Sequence, residues 1–248
     1  MTGDFFMKLT KDDIILFSGD SITDGNRGKS MDCNHIMGHG YQYIVAGRLA
    51  LDNAENMPKF INKGYSGENA EGLLEKWQAD VIDNKPTILS ILVGVNDGGY
   101  GWFDKITPEE AAKRHETNLR AILEKTRNEL GDIKIIVCEP FYFPLDKSDY
   151  SYKNSPHPDG VEGPFKRPDS NDPEDSVAYR DATNKIVRAA TKKLAEEFDC
   201  IFVPLYDKIK ENAERSRIEY FVWDGTHPSI AGHMIIAEEW LKAVGYDA

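Results

Sequence analysis

At residues 13–19 the chain reads Asp13-Ile14-Ile15-Leu16-Phe17-Ser18-Gly19, a short apolar run that ends at a glycine. Such a run is typical of a strand that is buried on both faces of a parallel sheet. Four similar runs follow, at residues 60–62, 87–93, 134–138 and 200–203. The sequence therefore predicts five short strands.

Helical patterns separate these strands and close the chain. Their apolar residues recur every three or four positions, and they span residues 41–51, 70–82, 108–129, 177–198 and 229–244. Because strands that alternate with helices form parallel sheets with helices on both faces, the sequence favours an α/β fold: a three-layer α/β/α sandwich with a five-stranded parallel sheet.

The composition is that of an ordinary globular domain. The chain has 248 residues, 40% of them hydrophobic, and this length fits a single domain over residues 1–248 better than two. Its 30 basic and 42 acidic residues give a net charge of −12, whereas nucleic acids and anionic lipids attract clustered Lys and Arg. No apolar stretch approaches the roughly 18 residues of a membrane span. We therefore expect neither a nucleic acid nor a membrane as partner.

The cysteines and the N-terminus point to the cytoplasm. Cys33, Cys138 and Cys200 are odd in number, and the last two lie in apolar runs, which favours reduced thiols over a disulfide. Residues 1–8 lack the basic and apolar regions of a signal peptide, although a leader removed beforehand would leave no trace. We expect a cytoplasmic protein.

Residues 143–176 break the alternation of strands and helices. They contain six prolines and many Asp, Ser and Asn residues, without apolar periodicity. A loop of this length in a compact domain is usually functional or disordered. We interpret it as a surface insertion rather than a linker, because the strand and helix that follow are needed to complete the sheet.

Polar residues stand at strand ends, where parallel sheets bind ligands. A Ser21 nucleophile would need a base and a group to orient that base, and His227 and Asp224 can supply both from one loop near the C-terminus. The Gly67 backbone N–H and the Asn96 side-chain amide are candidate donors to an oxyanion. Taken singly, Ser21 could equally be a helix cap, and the other two could be turn residues.

Four sequence blocks together resemble those of the SGNH hydrolases, also called the GDSL esterase/lipase superfamily. In the order of that family, the blocks are Gly19-Asp20-Ser21-Ile22, Gly67, Gly94-Val95-Asn96-Asp97 and Asp224-Gly225-Thr226-His227. The resemblance implies a flavodoxin-like fold, with Ser21 as nucleophile and Asp224 and His227 completing the triad. It also implies an oxyanion hole built from the backbone N–H groups of Ser21 and Gly67 and the Asn96 amide, without a metal or an organic cofactor.

The alternative Gly-x-Ser-x-Gly elbow of α/β-hydrolases is only half matched by residues 19–23, and it normally follows a mid-chain strand. That fold is therefore disfavoured. Asp20 and Asp97, which flank two of the block residues, are expected to hold the active loops through hydrogen bonds rather than to react.

Within the superfamily, residues 19–27, 62–67 and 223–234 most resemble bacterial acetylxylan esterases and related carbohydrate acetylesterases. The resemblance implies a small-molecule or oligosaccharide acetyl ester as substrate. A homo-oligomer is also expected, and this expectation rests on the resemblance alone. The insertion at residues 143–176 departs from that group and leaves the substrate open.

Polar and aromatic side chains in the strand-end loops suit a sugar ring. The candidate substrate-binding residues are Arg27, Tyr65, Tyr100 and Trp102. Trp102 could equally pack its loop onto the body of the protein.

Two other functions remain open. The same triad could cleave a thioester, a lysophospholipid or a short aryl ester. A flavodoxin-like fold could instead bind a nucleotide or flavin without catalysis; the hydroxyl groups of residues 18–23 suit a phosphate, but Asp20 and Asp24 would repel it.

Overall fold

Five parallel strands form one sheet in the order β2-β1-β3-β4-β5. The computed structural model describes residues 9–28, 30–32, 35–145 and 174–246. The strands are β1 (Ile14–Gly19), β2 (Lys59–Gly64), β3 (Ile88–Leu92), β4 (Lys134–Cys138) and β5 (Ile201–Val203). This strand order is that of flavodoxin, so the predicted five-stranded parallel sheet is confirmed.

Helices cover both faces of the sheet. The described residues include α1 (Ser21–Asp24), α2 (Tyr41–Asp52), α3 (Ala70–Asp80), α4 (Val95–Phe103), α5 (Pro108–Leu130), α6 (Glu174–Glu197), α7 (Tyr206–Ala213) and α8 (Ile230–Ala243). Phe17 of β1 packs in one core cluster with α2 and α8, and its neighbour Leu16 packs in the other with α3, α5 and α6. Because successive strand residues face opposite sides of a sheet, β1 is buried on both faces and the fold has the three predicted layers.

Two buried tryptophans join neighbouring elements through their indole N–H groups. Trp240 of α8 donates to Ser90 Oγ of β3 at 3.0 Å, and Trp77 of α3 donates to Thr126 Oγ1 of α5 at 2.9 Å. Both rings are 1% exposed or less, so each bond satisfies a donor that water cannot reach.

Helix α4 follows β3 where the sequence indicated only a turn. Its sequence, Val-Asn-Asp-Gly-Gly-Tyr-Gly-Trp-Phe, contains three glycines, and glycine disfavours a helix by about 1 kcal/mol per residue relative to alanine. Tertiary contact explains the helix: a Cβ on Gly101 would lie only 2.5 Å from the Ala111 Cβ of α5 and 2.4 Å from the Tyr179 hydroxyl of α6. The glycine thus permits close helix packing, a property that periodicity does not report.

The strand order places a crevice at the carboxyl ends of β1 and β3. The chain leaves β1 toward β2 on one side and later enters β3 on the other, and ligands of open α/β sheets bind at such a reversal. Gly19 allows the two strand ends to meet, since a Cβ there would lie 2.2 Å from the Leu92 carbonyl oxygen. The Ser21 block and the Asn96 block therefore begin side by side.

Most of the predicted insertion, residues 146–173, lies outside the described residues. Cys33 lies outside them as well, whereas Cys138 and Cys200 carry free thiols as predicted. Burial raises the pKa of Cys138 to about 12, so this thiol stays protonated. None of the described helices is long and apolar enough to span a bilayer.

Candidate active site

Ser21 is the first residue of α1, immediately beyond β1. Asp20 caps this helix, because its Oδ1 accepts the backbone N–H of Ile22 at 3.0 Å. The helix ends after one turn at Gly25, whose φ of 52° is left-handed. Ser21 therefore stands on a short, tightly bounded turn at the crevice, and it is Asp20 rather than Ser21 that caps the helix.

Asp20 itself is buried beneath this turn. Burial raises the pKa of its carboxyl to about 7, and the nearby Asp97 carboxylate acts in the same direction. The Ile22 N–H and the proximity of His227 oppose the shift without cancelling it. Asp20 thus caps the helix that begins at Ser21, and its supporting role in the reaction stays a prediction.

His227 and Asp224 lie in the loop before α8. The backbone N–H groups of Thr226 and His227 donate to Asp224 Oδ1 at 2.9 and 2.6 Å, and His227 Nδ1 lies 2.6 Å from Asp224 Oδ2. His227 Nε2 is 2.8 Å from Ser21 Oγ. Since a carboxylate only accepts, Nδ1 carries a proton, and in the neutral ring Nε2 is free to accept the serine hydroxyl.

The protonation energetics of the pair favour a histidine base. Burial opposes the charged form of His227, but the hydrogen bond and charge of Asp224 outweigh it and raise the pKa of the imidazole. Burial also works against the Asp224 carboxylate, yet its bonds to His227 and to the backbone hold its pKa below the ordinary value. An imidazolium formed during reaction is therefore stabilised beside a permanent anion.

A hydrogen bond joins the segments that carry the two candidate oxyanion donors. Asn96, in the first turn of α4, donates one side-chain N–H to the Glu68 carbonyl at 2.8 Å, and Glu68 directly follows Gly67. Gly67 has a φ of 83°, and a Cβ at this residue would meet no atom within 4 Å, so its conformation and not crowding favours glycine. The Asn96 amide retains a second N–H for a ligand.

Asp97 is buried behind Asn96. Its Oδ2 lies 3.3 Å from Nδ1 of the fully buried His115, whose Nε2 lies 3.0 Å from Thr191 Oγ1. These contacts connect α4 to α5 and α6, and the supporting role of Asp97 stays a prediction.

A cavity of about 250 Å³ opens beside the triad. Polar side chains dominate its wall, and Trp223 stacks on His227 with ring centroids 6.0 Å apart. The lining residues are Ser21, Ile22, Gly25, Asn26, His39, Ser66, Trp223, His227, Pro228 and His233. The sequence pattern assigned no role to Trp223 or His233; both lie in residues 223–234, but nothing in their spacing places them on a cavity wall.

None of the four candidate substrate-binding residues is among the described residues that line this cavity. Arg27 donates to the Gly64 carbonyl at 2.8 Å, and its guanidinium lies 4.7 Å above the Tyr65 ring. Trp102 packs edge-on against Tyr179 in a separate surface hollow, and Tyr100 is 45% exposed. The part of the chain described here contains no cluster of three or more His, Cys, Asp or Glu residues that could hold a metal ion.

Comparison with known proteins finds similarity over nearly the entire chain. Residues 17–235 match the GDSL-like lipase/acylhydrolase family. An acetylxylan esterase from Geobacillus stearothermophilus is 29% identical over 248 residues, which cover 97% of this chain and 98% of that protein.

Solved structures agree with this match. The crystal structure of an acetylxylan esterase from Geobacillus stearothermophilus has a TM-score of 0.71 at 27% identity, covering 97% of this chain and 98% of its own. A protein from Parabacteroides merdae described as a GDSL-like lipase has a TM-score of 0.75 at 32% identity, covering 96% of this chain and 98% of its own.

Proposed function

Because this chain belongs to the GDSL-like lipase/acylhydrolase family and is a carboxylic ester hydrolase, we propose that it removes acetyl groups from a carbohydrate through a serine acyl-enzyme. The observation that carries the proposal is the unbroken hydrogen-bonded chain from Ser21 through His227 to Asp224.

In the first step, Ser21 Oγ attacks the ester carbonyl and its proton passes to His227 Nε2. The tetrahedral oxyanion is stabilised by the backbone N–H groups of Ser21 and Gly67 and by the Asn96 amide. His227 then returns the proton to the departing sugar oxygen as the carbon–oxygen bond breaks. The products of this half-reaction are the free sugar hydroxyl and acetyl-Ser21.

In the second step, His227 takes a proton from water, and the hydroxide attacks the acetyl carbonyl. A second tetrahedral intermediate collapses, the bond to Ser21 Oγ breaks, and the serine recovers its proton from His227. Acetic acid leaves and loses its proton to water to become acetate, and the enzyme returns to its starting state. Asp224 stays ionised throughout and balances the imidazolium.

The size and polarity of the cavity support a small acyl group on a polar alcohol. Its volume of about 250 Å³ lies below the roughly 300–1,000 Å³ typical of sites for drug-sized ligands. Ser66, Asn26 and His39 offer hydrogen-bonding groups on its wall, where a long acyl chain would need apolar surface. Trp223 adds an aromatic face of the kind that packs on sugar rings.

The relatives support the same residues and the same substrate class. The solved Geobacillus protein is described as an acetyl-xylooligosaccharide esterase. Its variants described as catalytic mutants replace a serine, an aspartate and a histidine. In that enzyme the last two lie three positions apart, as Asp224 and His227 do here.

The test compares wild type with Ser21→Ala on acetyl, butyryl, octanoyl and dodecanoyl nitrophenyl esters and on acetylated xylose. We expect wild-type hydrolysis to be fastest for acetyl, to extend to the sugar ester, and to fall at least a thousandfold in Ser21→Ala. Ser216→Ala, which removes a hydroxyl from an exposed residue beyond α7, serves as the matched control and should retain an acyl-enzyme that mass spectrometry detects.

Two outcomes would contradict parts of the proposal. Full activity in Ser21→Ala would exclude the serine mechanism. A preference for octanoyl or dodecanoyl esters would keep the triad but change the substrate class to a lipid or thioester.

A further inference from the structure

The cavity beside Ser21 contains a histidine that the triad chemistry does not use. His233, in the first turn of α8, lines the cavity together with Ser21, His39 and His227. The backbone N–H of Tyr41 donates to His233 Nδ1 at 3.1 Å. Because a backbone N–H can only donate, Nδ1 carries no proton, and the single proton of the neutral ring lies on Nε2.

The surroundings of His233 keep its ring neutral. Burial lowers the pKa of its imidazole to about 3, and His39 and His227 nearby further oppose a second positive charge. The ring is therefore neither a general base on Nδ1 nor a cation near pH 7. It presents a permanent Nε2–H donor.

That donor is available to a ligand. Within the described part of the chain, the hydrogen bond of the His233 side chain is the one from Tyr41, and it occupies Nδ1 alone. Nε2 is thus open to a molecule in the cavity that His233 lines. Because Ser21 lines the same cavity, an ester bound at Ser21 would lie within this space.

We propose that His233 Nε2–H donates a hydrogen bond to the alcohol part of the substrate, at a hydroxyl or ring oxygen of the sugar that carries the acetyl group. The inference rests on the proposed function, since it assigns a group that would recognise the sugar. Every oxygen of a sugar can accept such a bond, whereas a simple aryl alcohol offers no oxygen beside the scissile ester. A site that holds a fixed donor discriminates against a substrate that leaves the donor unpaired.

Two substitutions distinguish loss of the Nε2–H donor from loss of the hydrogen bond that His233 accepts from Tyr41. In His233→Asn the side-chain amide oxygen can still accept the Tyr41 N–H, but the shorter side chain removes the donor at Nε2. In His233→Gln the longer side chain can restore an amide N–H near the Nε2 position. His35→Asn is the matched control, because His35 is exposed and pairs with Asp32 at 2.9 Å outside the cavity.

The readout is the ratio of kcat/KM for acetylated xylose to kcat/KM for nitrophenyl acetate. We expect this ratio to fall about tenfold in His233→Asn, the loss of roughly one hydrogen bond. It should recover in part in His233→Gln and equal the wild-type ratio in His35→Asn. His233→Phe, which keeps an aromatic ring and removes both nitrogens, provides a second donor-free variant and should lower the ratio as His233→Asn does.

The same experiment distinguishes failure of the inference from failure of the proposed function. Wild type that hydrolyses nitrophenyl acetate but no sugar acetate would overturn both. Wild type that hydrolyses sugar acetates, with equal losses on the two substrates in the His233 variants or with no loss, would overturn only the assignment of His233.

Discussion

At the scale of single residues, the two carboxyl groups near His227, those of Asp224 and Asp20, differ in the number of hydrogen bonds that they accept. Asp224 accepts two backbone N–H groups and the His227 ring N–H, and these donors hold its pKa low despite burial. Asp20 accepts the Ile22 N–H and is otherwise enclosed, so its pKa rises to about 7. Asp224 can therefore balance a histidine cation, while Asp20 serves as a helix cap.

The proposed oxyanion role of Asn96 can be tested by Asn96→Ala. We expect turnover of acetyl esters to fall about a hundredfold or more, because an oxyanion donor contributes mainly in the transition state. The fall should appear in kcat with a smaller change in KM, measured by steady-state kinetics on nitrophenyl acetate. The variant also loses the hydrogen bond to the Glu68 carbonyl, so its thermal stability should be measured alongside the kinetic assay.

Asn128→Ala is the control for Asn96→Ala, since Asn128 is exposed on α5. It should leave both turnover and stability as in wild type. A rise in KM without loss of kcat in Asn96→Ala would instead indicate a role in substrate binding.

At the scale of elements, short side-chain bonds align the loops that carry the site. The Asn62 amide at the end of β2 donates to the Thr23 carbonyl of α1 at 2.7 Å and to the Met37 carbonyl at 2.8 Å. On the same edge, Ser66 Oγ donates to Asp24 Oδ2 at 2.6 Å. The loop after β2, which contains Gly67, is thereby held against the turn that carries Ser21.

The packing of α4 leads to a prediction about its glycines. Gly101→Ala should lower the free energy of unfolding by about 1–3 kcal/mol, because the added methyl group would collide with Ala111 and Tyr179. Gly99→Ala lies in the same helix, where a Cβ meets no atom within 4 Å, and it should be neutral or stabilising by up to about 1 kcal/mol. Urea unfolding of the two variants measures the difference.

Equal effects of the two glycine substitutions would contradict this account of α4. They would mean that helix propensity, rather than the contact with α5 and α6, controls the stability of the segment. Because Asn96 lies in the first turn of α4, a loosened Gly101→Ala variant should also lose turnover, while Gly99→Ala should retain it.

At the scale of the molecule, the buried Asp20 couples global stability to pH. Its carboxyl ionises above a pKa of 3.8 in the unfolded chain but only above about 7 in the folded protein. Between these values the folded state binds more protons than the unfolded state, so the free energy of unfolding falls as pH rises. Asp20→Asn keeps an oxygen for the Ile22 N–H and cannot ionise, so we expect this fall to be smaller in the variant.

Urea unfolding at a series of pH values from about 4 to about 7 tests this coupling. Asp132→Asn, which alters a fully exposed side chain, is the control and should follow the wild-type slope. An unchanged slope in Asp20→Asn would show that other groups dominate the pH dependence.

The elements that the sequence predicted are those with strong local signals. The apolar runs became the five strands with ends shifted by up to two residues, and Thr107 and Glu110 form the capping box at the start of α5. The helix Val95–Phe103 was missed. Its three glycines obscure the helical signal, so neighbouring elements rather than local propensity stabilise it.

Ser21, Gly67 and Asn96 were recognisable as candidates because each follows a strand, and the sheet brings strand ends to one edge. Asp224 and His227 were recognisable as an Asp-x-x-His pair in one loop near the C-terminus. Arg27 and Tyr65 contact each other and are not among the described residues that line the cavity, so their role in substrate binding stays a prediction. Trp223 and His233 line the cavity although their spacing carries no such signal. Residue identity and periodicity are local properties, and they determine the strands and the candidate chemistry. Which side chains share a cavity depends on contacts between distant residues, such as Tyr41 and His233, which lie nearly two hundred positions apart. Only the folded chain brings such residues together.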